Sequence, residues 1–331
     1  MGRLRAGVIG AGIFGEIHIA AYQSLLDVEV VAICDSNPRR LREVAKNHRI
    51  PLRFTDFEQL CARKEIDLVS IATPEEGHLA PVRAAAKYGK HVLLEKPIAT
   101  SLLDAEKILA ACEKAGIILM VGHILRFENT YGTVKREIEK GNLGKVLSIH
   151  ARRNRPKRAL QQMLNRVHPI ISNGIHDIDL CLWYTQDRVR SVRAVTRRAN
   201  FSNYPQVNWS LVEFHGGAVA CLETHWMIPD HAGVMANDAM QVIGTKGVAD
   251  IHFAPLYLWK ETGAEIPNVS YDAWFNDTVH GAIREEVNYF VDCVRKNSAP
   301  EILKPVDAVN ALKVALALVR SAKEKRDVTL A

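Results

Sequence analysis

Arg5-Ala6-Gly7-Val8-Ile9-Gly10-Ala11-Gly12-Ile13-Phe14-Gly15 is the stretch from which the fold can be read. An apolar run enters Gly10, and helix-forming residues begin near Ile13. Gly10, Gly12 and Gly15 have the spacing G-x-G-x-x-G between them. In a strand-to-helix turn each glycine then has its own task. The first permits the tight turn, the second admits a pyrophosphate close to the backbone, and the third lets helix and strand pack closely. The helix N-terminus offers unpaired N–H groups and partial positive charge to the phosphates. A second apolar run, Val28 to Cys34, ends at Asp35, about twenty residues on, where a dinucleotide site places a carboxylate for the ribose hydroxyls. A carboxylate there accepts from a 2′-hydroxyl and repels a 2′-phosphate, so NAD is expected and NADP disfavoured. Arg39 and Arg40 stand nearby, where they could weaken that preference, and both fit a solvated helix face equally well.

Working outward, strand and helix patterns alternate through the first third. Asn37-Pro38 reads as a helix start, with Leu41, Val44 and Ala45 at helical spacing. Leu52–Phe54, Asp67–Thr73, His91–Glu95 and Ile117–Val121 read as strands. His78–Tyr88, stopped by Gly89, and Ser101–Ala115, stopped by Gly116, read as helices. This is the pattern of an α/β fold with a doubly wound parallel sheet, a Rossmann domain. Ligands of such sheets sit at the carboxyl ends of the strands, which puts Gly10, Asp35, Thr73, Lys96 and His123 on one rim.

Beyond Gly122–Phe127 the pattern changes. Helices are predicted over Thr130–Lys140 and His176–Tyr184, and strands over Lys145–Arg153 and Val189–Val195. Hairpins are predicted around His215-Gly216-Gly217 and Thr245-Lys246-Gly247, and helices again over Ala282–Val294 and Val306–Lys323. Two domains follow: residues 1–123 as the dinucleotide-binding domain, and residues 124–331 as an α+β domain with a large, open, mostly antiparallel sheet for substrate binding and oligomerisation.

Composition narrows the class. The chain has 331 residues, 48% hydrophobic and 24% charged, with a formal net charge of +6. No apolar run approaches the roughly 20 residues of a membrane span. The glycine turn comes so early that no secretory leader is expected. The six cysteines have neither C-x-x-C spacing nor a framework pattern, so reduced thiols in a cytoplasmic protein are expected, with no metal site. From Lys145 to His168 the chain carries seven Lys and Arg residues and no Asp or Glu. That block suits either an anionic ligand or a solvated loop. It lacks the interleaved aromatics of a nucleic-acid surface.

Lys96 is the leading candidate for chemistry. It follows a strand end on the cofactor rim, where partial desolvation lowers a lysine's pKa towards acid–base use. His176 is the second, suited to proton transfer near neutral pH, with Asp179 three residues on and on the same helical face.

Ala72-Thr73-Pro74-Glu75-Glu76-Gly77-His78 and Gly89-Lys90-His91-Val92-Leu93-Leu94-Glu95-Lys96-Pro97 resemble the Gfo/Idh/MocA oxidoreductases, relatives of glucose-fructose oxidoreductase and inositol dehydrogenase. Gly174-Ile175-His176-Asp177-Ile178-Asp179 and Ile243-Gly244-Thr245-Lys246-Gly247 are similar to that family too, and the likeness runs through nearly the whole chain. It implies NAD(P), hydride transfer at a secondary alcohol of a sugar, an inositol or a derivative, and Lys96 and His176 as catalytic residues. It implies cofactor contacts at Gly10, Gly12, Ile13, Phe14, Gly15, Asp35, Thr73, Pro74, His78, Glu95 and Lys96, a cis Lys96–Pro97 bond, and a homodimer or homotetramer through the C-terminal sheet. Expected substrate contacts are His123, Arg126, Arg153, Arg155, Ser172 and Asp179, the basic pair favouring an anionic group such as a carboxylate, phosphate or nucleotide sugar. One position departs from the family pattern. Ser172 stands four residues before the histidine, where many members carry aspartate, and serine cannot hold a negative charge. Asp177 and Asp179 are the nearest carboxylates to compensate. Two other functions share the scaffold: an NAD-dependent glycoside hydrolase, and a non-catalytic NAD-binding sensor.

Overall fold

A computed structural model describes residues 2–158, 166–199, 203–232, 236–252, 258–260, 263–265, 273–275 and 278–330. Residues 159–165 of the basic segment lie outside that set. Among the described residues no helix is long and apolar enough to cross a membrane.

The chain divides into two units, and it passes between them more than once. The first is Met1–Phe127 with Ser270–Val309; the second is Glu128–Val269 with Asn310–Ala331. The sequence reading placed one boundary after residue 123; in the structure residues 270–309 group with the first unit. Part of the chain assigned to the second domain returns to the first, because its helix carries an apolar face that the first core buries.

The first unit opens with β1 (Leu4–Ile9), α1 (Ile13–Gln23), β2 (Val28–Cys34), α2 (Pro38–Asn47), β3 (Leu52–Phe54) and α3 (Phe57–Cys61). It continues with β4 (Leu68–Ile71), α4 (Leu79–Lys87), β5 (His91–Glu95), α5 (Leu102–Ala115) and β6 (Leu119–Gly122). The sheet order is β3-β2-β1-β4-β5-β6 with every pairing parallel. The order reverses between β1 and β4, and such a switch point is where a doubly wound sheet holds its ligand. The local signals act as read: Asn37 Oδ1 accepts from the Arg39 and Arg40 N–H groups to cap α2, and Gly116, at φ 64°, ends α5.

The second unit holds α6 (Asn129–Glu139), β7 (Val146–Asn154), α7 (Ile175–Thr185), β8 (Val189–Arg197), β9 (Val207–Phe214), β10 (Val219–His225), β11 (Asn237–Gly244) and β12 (Val248–His252). A short ribbon follows, β13 (Leu258–Lys260) with β14 (Gly263–Glu265). The chain then returns to the first unit for the ribbon β15 (Ala273–Phe275) with β16 (Thr278–His280) and for α8 (Ala282–Lys296). Ile283, Val287, Phe290 and Val291 of α8 share the buried core that holds Ile19, Ile33, Leu68, Leu93 and Met120. α9 (Pro305–Glu324) and β17 (Val328–Thr329) finish the chain.

The larger sheet runs β12-β11-β7-β10-β9-β8-β17. Among its described strands, β7 and β10 pair in parallel and the other pairings are antiparallel. Both predicted hairpins form, β9 with β10 and β11 with β12. Alternation along these strands buries one face, with Ile149, Ala151, Val212, Ala220, Leu222 and Met240, and leaves the other accessible. Immediately before α7 the chain makes a π-helical turn, Ile170–Gly174, for which the sequence held no sign.

Candidate active site

The glycine turn joins β1 to α1. Gly10 has φ +103°, and a Cβ there would lie 2.5 Å from the Ala72 carbonyl oxygen, so this turn closes only on glycine. A Cβ on Gly15 would fall 1.9 Å from the Gly10 carbonyl oxygen, so the helix packs on the turn at backbone distance. Gly12 is different. It is the N-cap of α1, has an ordinary φ of −72°, receives no side-chain cap, and faces open space where a Cβ would point. Ile13 and Phe14 beside it are 64% and 42% exposed. An uncapped helix N-terminus with an open approach fits a pyrophosphate.

The loop is stiffened through Ala11. Its N–H donates to Asp35 Oδ2 at 2.7 Å, and its carbonyl accepts from Arg40 Nε at 2.7 Å. Asp35 Oδ1 accepts from the Asn37 N–H at 2.7 Å. Each carboxylate oxygen still has lone pairs for ribose hydroxyls. Arg40 Nη2 is bound to the Glu16 carboxylate.

Further along the rim, His78 is buried, with Nε2 3.1 Å from the Thr73 carbonyl and Nδ1 3.0 Å from the Pro97 carbonyl. It fastens the loop after β4 to the loop after β5, and burial holds its pKa below the usual imidazole range. Thr73 Oγ1 is buried with no hydrogen-bond partner among the described residues. The Lys96–Pro97 bond is cis, as the resemblance implied.

Glu95, just before Lys96, is buried. Its Oε1 lies 3.0 Å from His18 Nε2, and its Oε2 accepts from the Lys96 N–H at 3.1 Å. Burial alone would raise its pKa; the His18 bond and the Lys96 charge outweigh that and hold it below the usual carboxylate range. His18 Nδ1 is 3.0 Å from Ser70 Oγ, which is 2.9 Å from the Tyr22 hydroxyl. A hydrogen-bonded chain therefore runs from α1 and β4 to the turn carrying Lys96. Lys96 itself is half-buried. On α8, Glu286 is fully buried and both its oxygens lack a hydrogen-bond partner among the described residues. Burial, then the Glu95 charge, pushes its pKa well up. Gly122 leaves room for both acids: a Cβ there would sit 3.5 Å from Glu95 Oε1 and 3.6 Å from Glu286 Oε2.

His123, next to Gly122, is 1% exposed. Arg126 is also buried, and its Nη1 donates to the Ile302 carbonyl and to Asp307 Oδ2, both at 2.8 Å.

In the second unit, α7 carries His176, half-buried, and Asp177 and Asp179, each 1% exposed. Ser172 sits on the π-helical turn, 2% exposed. Arg153 on β7 is also 1% exposed and meets Asp177 in a two-pronged pair, Nε to Oδ2 at 3.0 Å and Nη2 to Oδ1 at 2.7 Å. Its Nη1 donates to Asp238 Oδ2 at 3.0 Å, and Arg155 pairs with the same carboxylate. Arg126, Arg153 and Arg155, expected to contact substrate, each pair with a carboxylate of their own unit. Arg126 and Arg153 are buried and Arg155 is half-buried, and a charge taken out of water is costly unless it is paired. Asp177, one of the two carboxylates named as able to compensate for Ser172, is bound to Arg153 through both of its oxygens.

Several residues of these networks carried little sequence signal. His18 sits three residues after Gly15 and could have been found as a histidine on the inner face of α1. Glu16 and Arg40 are 24 positions apart, and Glu286 lies 191 positions after Glu95, with no local pattern joining either pair.

Residues 4–123 match the sequence model described as the oxidoreductase family, NAD-binding Rossmann fold, and residues 131–250 match that of the GFO/IDH/MocA C-terminal domain. The myo-inositol 2-dehydrogenase of Thermotoga maritima is 27% identical over 338 residues, covering 99% of this chain and 98% of the relative. The scyllo-inositol 2-dehydrogenase (NAD(+)) of Bacillus subtilis is 27% identical over 337 residues, covering 99% and 96%. The crystal structure of scyllo-inositol dehydrogenase from Lactobacillus casei, with bound NAD(H) and scyllo-inositol, superposes with a TM-score of 0.85 over 99% of each chain, at 21% identity, a likeness of fold.

Proposed function

The chain belongs to the Gfo/Idh/MocA oxidoreductases, and from that premise we propose that it is an NAD-dependent dehydrogenase acting on a secondary CH–OH group of an inositol, a sugar or a sugar derivative. The observation that carries the cofactor half is the Gly10–Gly15 turn, closed by two glycines and open at the third, with Asp35 fastened beside it. The substrate class rests on the inositol dehydrogenases among its relatives.

When bound, NAD supplies a hydride acceptor. The rest is work for this chain's side chains. The glycine turn and the first N–H groups of α1 hold the pyrophosphate, with Ile13 and Phe14 beside it. Asp35 accepts from the adenosine ribose hydroxyls. Thr73, Pro74 and His78 shape the rim after β4. Glu95, set by His18, holds the Lys96 peptide. We assign to Lys96 and His176 the substrate hydroxyl: one donates a hydrogen bond that orients it, the other takes its proton as the hydride leaves. His123, Ser172 and Asp179 are assigned to the remaining hydroxyls, which polar neutral and acidic side chains suit better than an anionic group. Serine at 172, four residues before His176, stands where the resemblance implies an aspartate, and it cannot hold a negative charge.

A second copy of this chain is assigned to the accessible face of the larger sheet. Leu147, Val195, Trp209, Leu211 and Ile243 are exposed on its strands, and Val195 and Trp209 stand opposite each other in register. An apolar face of that extent suits a self-association surface.

The deciding experiment is NADH absorbance with NAD against a panel of inositols, sugars, sugar acids and nucleotide sugars, using wild type, Lys96→Ala and His176→Ala. Turnover with inositols or neutral sugars is expected, with kcat falling by roughly 10²- to 10⁴-fold in each variant while NAD still binds. Release of free sugar without net NADH would point to the hydrolase instead. NAD binding with no reduction by any polyol would refute the dehydrogenase in favour of a sensor.

A further inference from the structure

Arg40 is the second basic residue after the Asn37 cap, on the first turn of α2, and it does not reach freely into solvent. Its Nε donates to the Ala11 carbonyl at 2.7 Å, its Nη2 is bound to Glu16, and its Nη1 is 3.4 Å from Glu43 Oε1. Glu16, on the first turn of α1, also faces His48 Nε2 at 3.4 Å. The same Ala11 residue gives its N–H to Asp35. Asp35 and Arg40 thus grip the two ends of one residue in the glycine turn, side by side. Arg39 is exposed and its side chain has no hydrogen-bond or ion-pair partner among the described residues.

A nicotinamide coenzyme with a 2′-phosphate differs from NAD just where Asp35 meets the ribose. To bind it, a site must lose a carboxylate and offer a cation, ideally a guanidinium, whose fork matches phosphate. This chain has the guanidinium at that position, but Glu16 occupies it. We propose that Glu16 is a coenzyme-specificity residue: by holding Arg40 against the Ala11 carbonyl it withholds that guanidinium from a 2′-phosphate, so Asp35 and Glu16 together set the preference for NAD. The inference rests on the NAD reading above and adds a residue to it. Asp35 repels the extra phosphate. Glu16 removes the group that would reward it and adds a second negative charge nearby. Neither alone accounts for the selectivity, so their effects on NADPH binding are coupled.

Isothermal titration of NADH and NADPH into the full-length protein tests this, with Glu16→Ala, Asp35→Ser, the double variant, and the double variant carrying Arg40→Ala or Arg39→Ala. Glu16→Ala alone narrows the ratio of the two Kd values. The double variant binds NADPH tighter than the product of the two single effects by at least about tenfold, the worth of one charge-assisted hydrogen bond. Arg40→Ala abolishes that gain and Arg39→Ala preserves it. Single effects that simply multiply, or a gain that survives Arg40→Ala, would overturn the proposal. Should Asp35→Ser not fold, Glu16→Ala still decides, since its side chain is partly exposed (28%) and an unchanged Kd ratio refutes the role. If the wild type binds neither nucleotide, the NAD reading itself has failed. Tight wild-type NADH binding with no effect of Glu16→Ala sinks this inference alone.

Discussion

The two glycines that flank the start of α1 should respond in opposite ways to the same methyl group. At Gly12 the φ of −72° is open to any residue, and an added Cβ meets no atom within 4 Å. Alanine there loses a little as an N-cap and gains by restricting the unfolded chain, so stability should stay within about 1 kcal/mol of wild type. The methyl instead fills the approach assigned to the pyrophosphate and pushes it off the helix N-terminus. Losing one or two charge-assisted N–H contacts costs about 2–4 kcal/mol, which is roughly 30- to 1000-fold in the NADH Kd. At Gly15 the Cβ falls 1.9 Å from the Gly10 carbonyl oxygen, about 1.5 Å inside the 3.4 Å at which ordinary contact begins. Backbone must move there, and overpacking of that kind costs about 1–3 kcal/mol in stability as well as the binding site. The assay is paired: NADH titration by fluorescence, and urea unfolding followed by circular dichroism. Gly12→Ala should keep the unfolding midpoint and lose NADH, whereas Gly15→Ala should lose both. A Gly12→Ala protein that binds NADH as tightly as wild type would refute the placement of the cofactor phosphates at this turn.

Two further perturbations test the titrating interior. His168 accepts the Ile170 N–H on Nδ1 at 3.2 Å, lies edge-on to Tyr204, and has its pKa pushed down by burial to about 4. The unfolded chain protonates it near 6.5 and the fold does not, so its contribution is complete above about pH 6.5. That contribution is lost as pH falls towards about 4, by up to about 3 kcal/mol. His168→Phe should flatten the fall in stability across that window, and an unchanged slope would argue against a neutral buried imidazole. Glu286 has the opposite sign. Its folded pKa is raised, so stability falls as pH rises above the ordinary glutamate range, where only the unfolded chain ionises. Glu286→Gln keeps the shape of a protonated acid, and its thermal midpoint should gain on wild type as pH rises. Parallel midpoint curves would mean Glu286 is ionised in the fold.

Much of this protein was settled by local pattern. The glycine spacing, the carboxylate at the end of β2, the Asn37 cap and the turn glycines act through neighbours in the chain. They dictated the parallel sheet and the hairpins without reference to distant residues. What the sequence left open depends on partners far apart along it. Arg153 and Arg155 read as open basic charge until β11 and α7 bring Asp238 and Asp177 against them, because burial turns a surface cation into one that must be paired. Arg40 read equally as a cation that weakens the NAD preference and as a solvated helix residue, until α1 and α2 were set side by side and Glu16 reached it. Glu286 lies within the predicted Ala282–Val294 helix, and nothing in the sequence singled it out. Packing α8 on the first core removes it from water and sets it near Glu95, which determines its protonation. Charge and burial are properties of three-dimensional neighbourhoods, and only the tertiary structure decided which of these ionisable groups face each other.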